Sequence, residues 1–186
     1  MKRLLLLLFV LIFSTQVFAR EDFRTYYSTL DYPAVWINPK NIKVYIYPDE
    51  YKEQILRNAF NTWDGALRSN LDFKYVDEPS KADITIKYVK KLDGRNAGET
   101  KTGHVKLQGK VYLGRADISI AKTNYIGFTC TDLELLKTAL HEIGHAIGIL
   151  GHSKNITDIM YYSTASHRQS TLSDKDIETV NKIYGF

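Results

Sequence analysis

The sequence predicts an α+β fold, and two kinds of pattern support this class. Short runs of alternating apolar and polar residues predict strands, whereas apolar residues at three- and four-residue spacing predict helices. Along the chain these elements come in the order strand, helix, four strands, helix, long loop, helix. All five predicted strands precede the last two helices, an order typical of an α+β domain.

The first 19 residues have the three parts of a secretory leader. Lys2 and Arg3 are basic, Leu4–Phe13 is apolar, and Val17–Ala19 supplies the cleavage site. The apolar run is shorter than the roughly 20 residues that span a bilayer, although a retained anchor is the alternative. We interpret residues 1–19 as a signal peptide, which predicts a secreted or periplasmic protein.

The remaining chain has the length of one domain, with an N-terminal arm at 20–40 and the domain itself at 41–186. Removing the leader lowers the formal net charge from +4 to +2, which gives no indication of a nucleic-acid partner. We expect a monomer without membrane contact once the leader is removed. Cys130 is the single cysteine, which excludes a disulfide within the chain. It is interpreted as a small buried apolar residue, the alternative being a reactive thiol.

Each element has its own pattern. Ile42, Val44 and Ile46 alternate with polar neighbours, and Asp49 is placed to cap the helix that follows. The last helix begins at Ser173, where Ser173-x-x-Asp176 is a capping box. The other predicted elements are a helix at Asp49–Arg68, strands around Phe73 and Ile86, an exposed loop at Gly94–Gly103, strands at Val105–Leu113 and Ala116–Ala121, and a helix at Asp132–Leu150 with Leu133, Leu136 and Leu140 pointing inward.

The second predicted helix carries His141, Glu142 and His145. Residues four apart share one helix face, so the two imidazoles can chelate zinc while the Glu142 carboxylate reaches a water on the metal. Gly148 permits a sharp turn, after which His152 can return as a third ligand. Asp158 and Glu178 are the other carboxylates considered for that place, and His152 is the better choice. Three protein ligands leave a fourth position open, as in catalytic zinc sites.

These residues resemble a metzincin, and specifically a matrixin catalytic domain. The matching residues are His141, Glu142, His145, Gly148, His152 and Met160, with further likeness in Ala59-Phe60-x-x-Trp63, Ala82-Asp83-Ile84, Leu172-Ser173-x-x-Asp176 and Ile183-Tyr184-Gly185. The resemblance implies a twisted five-stranded mixed sheet with an antiparallel edge strand, three helices, one catalytic zinc, and Met160 as the floor beneath the three histidines. Asp176 resembles the terminal-helix aspartate of the family, and its expected role is the helix cap.

The chain departs from the matrixin pattern at several places. Matrixins have two residues between the glycine and the third histidine, whereas Ile149, Leu150 and Gly151 intervene here. The second zinc and the calcium sites of the family are not supported, because His104 is the only histidine available before the active-site helix. No cysteine-bearing pro-segment is recognised. Tyr162 stands where matrixins usually have proline. It is expected either to stabilise a developing oxyanion or to wall the substrate pocket.

The functional prediction is an exported zinc endopeptidase that cleaves protein or peptide substrates, with Glu142 as general base. The substrate is expected to pair with an edge strand within Val105–Leu113, and Tyr161 and Tyr162 to line the pocket beside the metal. Two alternatives remain open from the sequence. One is a zinc-binding module that no longer cleaves, and the other is a zinc hydrolase of cell-wall amide bonds. His167 is expected to be a surface residue.

Overall fold

The computed structural model describes residues 34–49, 52–163 and 170–186. Within these ranges six strands form one mixed sheet, and three α-helices accompany it. The α+β class and the three helices agree with the prediction. The expected five strands become six, because a two-residue strand precedes the first predicted one. The leader, most of the arm at 20–40, and His167 lie outside the described residues. The elements are β1 (Val35–Trp36), β2 (Ile42–Ile46), α1 (Glu53–Ala66), β3 (Phe73–Tyr75), β4 (Ile84–Val89), β5 (Gly98–Leu107), β6 (Lys110–Ala121), α2 (Asp132–Ala146) and α3 (Asp174–Tyr184).

The sheet is parallel except at one edge. β2 lies between β3 and β4, and β4 pairs with the second half of β6, all in parallel. β1 adds two parallel residue pairs to the first half of β6. β5 pairs antiparallel with β6, and its other edge has no strand partner among the described elements. Within the described part of the chain, β5 is therefore an edge strand of the sheet.

The β5–β6 hairpin is longer than the sequence indicated. Gly98–Gly103, expected in an exposed loop, forms the first half of β5 and pairs with β6 from Arg115 to Ile120. The turn falls at Gln108 and Gly109, both with positive φ (49° and 80°), as in the two-residue turns that suit hairpins. This half of β5 has no large apolar residue, so alternation gave no strand signal.

Helix α1 packs its apolar face onto the sheet and onto α2. Leu56, Ala59, Phe60 and Trp63 are fully buried at helical spacing, and the Trp63 indole N–H donates to the carbonyl oxygen of Leu140 at 2.9 Å. The expected cap was wrong. Lys52 precedes the helix without a side-chain cap, and the Asp49 carboxylate instead accepts a hydrogen bond from Lys122 at 2.8 Å.

Helix α2 begins with a capping box that Thr131 and Glu134 form reciprocally. Of the three leucines expected to point inward, Leu140 is fully buried and Leu136 packs half-buried against the core, but the prediction for Leu133 was wrong. Leu135, Ala139 and Leu140 are buried, whereas Leu133 is 50% exposed. Cys130, just before the helix, is half-buried, and burial raises the pKa of its thiol. A raised pKa is the opposite of what a reactive thiol requires, which favours the packing interpretation of Cys130.

Helix α3 contacts the residue that follows α2 and the segment around Met160. The predicted capping box is present, since Ser173 and Asp176 bond reciprocally, and the helix ends at Gly185 with φ 77°. The Tyr184 hydroxyl donates to the carbonyl oxygen of Ile147 at 3.0 Å. This contact ties the last helix to the end of α2. In the described part of the chain, no helix has both the length and the apolar character needed to span a bilayer.

Candidate metal centre and active site

Three imidazoles converge at the end of α2. The helix places His141 and His145 one turn apart, and His152 approaches from the following loop. Nε2 of His145 lies 3.2 Å from Nε2 of His141 and 3.2 Å from Nε2 of His152. Zinc–nitrogen bonds of 2.0–2.1 Å in a tetrahedron separate two ligand atoms by roughly 3.3 Å. Both separations from Nε2 of His145 therefore match the spacing of zinc ligands, and all three ligand atoms lie within 4.8 Å of one another.

The outer nitrogens of two of these rings are fixed by backbone carbonyls. Nδ1 of His141 donates to the oxygen of Ile159 at 2.7 Å, and Nδ1 of His145 donates to the oxygen of Ile149 at 2.6 Å. A carbonyl can only accept, so each ring carries its proton on Nδ1 and turns the lone pair of Nε2 inward. Burial lowers the pKa of His145 to about 4 and lowers that of His152. Both rings are thus held neutral, the form that binds metals.

The turn after α2 accounts for the extra residue before His152. The amide of Gly148 donates to His145 O and the amide of Ile149 to Gly144 O, which is a Schellman ending. Gly148 has φ 112°, and a Cβ there would lie 2.5 Å from the carbonyl oxygen of Ala34. The helix therefore ends at Ala146, four residues before the predicted end at Leu150. The loop still returns the His152 ring to the other two.

Met160 lies beneath the helix that carries two of the histidines. A Cβ on Gly144 would lie 2.3 Å from the Met160 sulfur, so the thioether occupies the space that a side chain at 144 would need. Met160 is fully buried, as a hydrophobic floor requires. The floor role inferred from the resemblance is compatible with this packing.

The backbone around Met160 links the histidines to α3. Ile159 accepts from His141 through its carbonyl, and the carbonyl oxygen of Met160 accepts from the amide of Ser153 at 2.7 Å. The amides of the same two residues donate to the Asp176 carboxylate at 2.9 and 3.2 Å. Asp176 is fully buried, and it also accepts from the amide and hydroxyl of Ser173.

Asp176 therefore does more than the helix capping that the sequence suggested. Burial raises the pKa of this carboxyl group, and the hydrogen bonds from Ser173, Ile159 and Met160 oppose that rise. Because one carboxylate holds both amides of the segment under the histidines, α3 and the metal centre form one hydrogen-bonded unit. Nothing in the sequence spacing indicated this second role.

A second buried polar pair stabilises the loop that carries His152. The Ser153 hydroxyl donates to the Asp158 carboxylate at 2.5 Å and accepts from the amide of Asn155 at 3.0 Å. Ser153 and Asp158 are both buried. Asp158, considered from the sequence as a possible ligand, is not in the group of three converging histidines and instead closes this loop.

Glu142 follows His141 on α2, and its side chain contacts β5. Its side chain is 5% exposed, and burial raises the pKa of its carboxyl group to about 7. Oε2 accepts a hydrogen bond of 2.6 Å from the Thr100 hydroxyl. Thr100 was not identified from the sequence, because its position next to Glu142 depends on how β5 packs against α2.

The two tyrosines after Met160 lie against each other at the surface. Their ring centroids are 4.3 Å apart, and Tyr162 is 67% exposed while Tyr161 is partly buried. Residues 164–169, which follow this pair, lie outside the described part of the chain. His104 is an exposed residue of β5, paired with Leu113 of β6.

The fold and the three converging histidines define a protein of the metzincin class. Among solved structures, the chain is similar to myroilysin, with a TM-score of 0.52 and 14% identity over 82% of this chain and 96% of that one. It is also similar to archaemetzincin from Methanopyrus kandleri, with a TM-score of 0.50 and 13% identity over 79% of this chain and 97% of that one. At these identities the likeness is one of fold.

The sequence comparisons identify the family. The matrixin profile matches residues 36–185, and the chain belongs to the matrixin family. It is 30% identical to karilysin of Tannerella forsythia, over 80% of this chain and 33% of that protein. It is 27% identical to metalloendoproteinase 1-MMP of Arabidopsis thaliana, over 78% of this chain and 41% of that protein. The chain thus spans less than half the length of these relatives.

Proposed function

We propose that this protein is a zinc-dependent endopeptidase that hydrolyses peptide bonds in proteins or peptides. The proposal rests on the three converging Nε2 atoms. Two of the separations between them are 3.2 Å, which matches the spacing of ligand atoms in a tetrahedral zinc site. The Nδ1 hydrogen bonds of His141 and His145 support it, because they prepare both rings as neutral ligands. Membership of the matrixin family and the endopeptidase names of its relatives agree with this activity.

We assign His141, His145 and His152 as the ligands of a single catalytic zinc ion. Zinc bound by three imidazoles lowers the pKa of a bound water to about 7 and polarises the carbonyl group that is attacked. Glu142 lies on the same helix turn as the ligands. It accepts the proton of the attacking water and passes it to the leaving amine. The burial that raises the pKa of Glu142 suits a group that must both take and release a proton near neutral pH.

The substrate is proposed to bind as an extended strand along the open edge of β5. The sequence placed this edge within Val105–Leu113, but the edge strand is Gly98–Leu107, and the residues from Lys110 belong to the inner strand β6. The first half of β5 is the part beside Glu142, since Thr100 contacts that side chain. Tyr161 and Tyr162 are proposed to line the side-chain pocket, with the Tyr162 hydroxyl available to a developing oxyanion.

We also propose that the protein is exported after removal of residues 1–19, and that it acts as a monomer. The basic, apolar and small-residue segments of that stretch support export. N-terminal sequencing of protein recovered outside the cytoplasm should begin at Arg20. Recovery of chains that keep Met1 in the membrane fraction would instead favour an anchored form.

The decisive experiment combines metal analysis with digestion of a casein substrate. One zinc per chain is expected, with cleavage lost on chelation and restored by zinc. Glu142→Gln should retain the metal but lose cleavage, whereas Glu178→Gln, at an exposed position of α3, should behave as wild type. Zinc binding without cleavage of any denatured protein would refute the endopeptidase assignment. Release of cell-wall fragments in a parallel assay would then identify an amidase.

A further inference from the structure

The inner face of β5 forms a two-residue cradle beside Glu142. Gly98 and Thr100 are two positions apart on the strand, so they share a face, and both contact the Glu142 side chain. Gly98 leaves space for the Glu142 side chain, and Thr100 supplies a hydrogen-bond donor to it. β5 is also the edge strand along which a substrate is proposed to lie. The two residues of the cradle are therefore part of the proposed substrate-binding strand.

Gly98 provides the space that Glu142 occupies. A Cβ at position 98 would lie 2.5 Å from Oε1, 2.6 Å from Cγ and 2.8 Å from Cδ of Glu142. All three distances are shorter than non-bonded carbon contacts allow. The Glu142 side chain can therefore lie against the strand backbone only because residue 98 has no side chain.

Thr100 fixes the other side of the same carboxylate. Its hydroxyl oxygen lies 2.6 Å from Oε2 and 3.0 Å from the main-chain oxygen of Glu142. The shorter distance is in the range of a hydroxyl donating to a charged carboxylate, the stronger kind of hydrogen bond. Oε2 is thus held at Thr100 while Oε1 lies over Gly98, so the carboxylate has one preferred orientation.

We propose that Thr100 is a positioning residue for Glu142, with Gly98 providing the space, and that it aligns the carboxylate with the substrate-binding edge. This inference rests on the proposed function, in which Glu142 acts as the base. A base must lie within hydrogen-bond reach of the water it deprotonates, and small misplacements are expensive in rate. Fixing the carboxylate to the edge strand relates its position directly to that of a peptide paired with the strand.

The test compares Thr100→Val, which keeps the branched shape but removes the hydroxyl, with Thr100→Ser, which restores it. Thr62→Val is the control, since Thr62 is an exposed residue of α1 whose hydroxyl also donates to a main-chain oxygen, that of Asn58. With a fluorogenic peptide, Thr100→Val should lower kcat by about 10-fold or more while KM changes less than about 2-fold. Thr100→Ser should recover most of kcat, and the control should match wild type.

Zinc affinity, measured by competition with a chromophoric chelator, should be the same in all of these variants. A wild-type kcat for Thr100→Val, a Thr100→Ser variant as slow as Thr100→Val, or an equal loss in the control would overturn the proposal. Zinc affinity that falls in step with kcat would also overturn it, because Thr100 would then act through the ligands.

Crystal structures of the zinc-loaded variants separate this inference from the proposed function. If wild-type protein binds zinc but cleaves nothing, the endopeptidase assignment fails, yet the role of Thr100 can still be read from coordinates. Displacement of the Glu142 carboxylate in both Thr100→Val and Gly98→Ala would support the cradle. A carboxylate that keeps its place in Thr100→Val would refute it, whatever the activity.

Discussion

Removing the Asp176 carboxylate should weaken both the fold and the metal centre. Asp176→Ala leaves the amides of Ile159 and Met160 without the acceptor seen in the structure. A buried donor without a partner costs about 1–3 kcal/mol, so two of them predict a loss of about 2–6 kcal/mol in the free energy of unfolding. Asp176→Asn keeps one oxygen but sets an NH₂ group against one of the donors, which predicts about half of that loss.

The assay is urea unfolding of the metal-free protein, so that changes in zinc affinity do not enter the measured stability. Asp174→Ala is the control, because Asp174 lies in the same first turn of α3 but is exposed. Its effect should stay within about 0.5 kcal/mol.

Zinc affinity gives the second measurement on the Asp176 variants. The carbonyl of Ile159 is the acceptor for His141, so a displaced segment should weaken zinc binding by about 10- to 100-fold. If Asp176→Ala loses less than about 1 kcal/mol of stability, or binds zinc as tightly as wild type, the linkage between α3 and the metal centre is wrong.

Three further outcomes are expected. Gly144→Ala should destabilise the protein by about 1–3 kcal/mol, because the added Cβ would overlap the Met160 sulfur. Gly65→Ala is the control and should not destabilise it, because no atom lies within 4 Å of a Cβ at that position. Equal shifts of the melting temperature in the two variants would refute this packing argument. Zinc at 1,000 times its Kd should add about 4 kcal/mol to stability, and a melting temperature unaffected by chelator would count against a metal site in the folded state. Burial lowers the pKa of His145 to about 4, so this residue binds fewer protons in the folded state than in the unfolded state. Its contribution to the free energy of unfolding is therefore present above pH 6.5 and is lost as the pH falls toward 4. As the pH falls from 6.5 to 4, metal-free wild type should therefore lose up to about 3 kcal/mol more of its free energy of unfolding than His145→Gln does. Equal losses in the two proteins would contradict a lowered pKa at His145.

The metal centre could be predicted because its geometry is mostly local. Two histidines four residues apart on a helix must share a face, and the glycine after them marks where that helix ends. The capping box of Ser173 and Asp176 is confirmed, and Met160 is buried, as the expected floor residue would be. The extra residue before His152 did not prevent the third ring from reaching the others, because the turn at Gly148 is followed by a loop that is closed on itself.

The errors concern choices that only tertiary packing decides. Leu133 and Leu135 both lie on apolar stripes of α2 at helical spacing, and the sequence favoured the stripe with Leu133, which is half exposed. Gly98–Gly103 lacks large apolar residues, yet it forms a strand because β6 supplies backbone partners. Thr100 contacts Glu142 only because folding packs β5 against α2, so no spacing rule could single it out.

The position of Asp176 in the sequence also determines when, during synthesis, the segment under the three histidines can be secured. The ribosome makes all three histidines before it makes this aspartate, and Asp176 secures the peptide segment under them. A nascent chain that stops short of α3 therefore has every ligand but lacks the clamp that orders them. The hydrogen bonds that hold the segment under the three rings can therefore form only after α3 has been made.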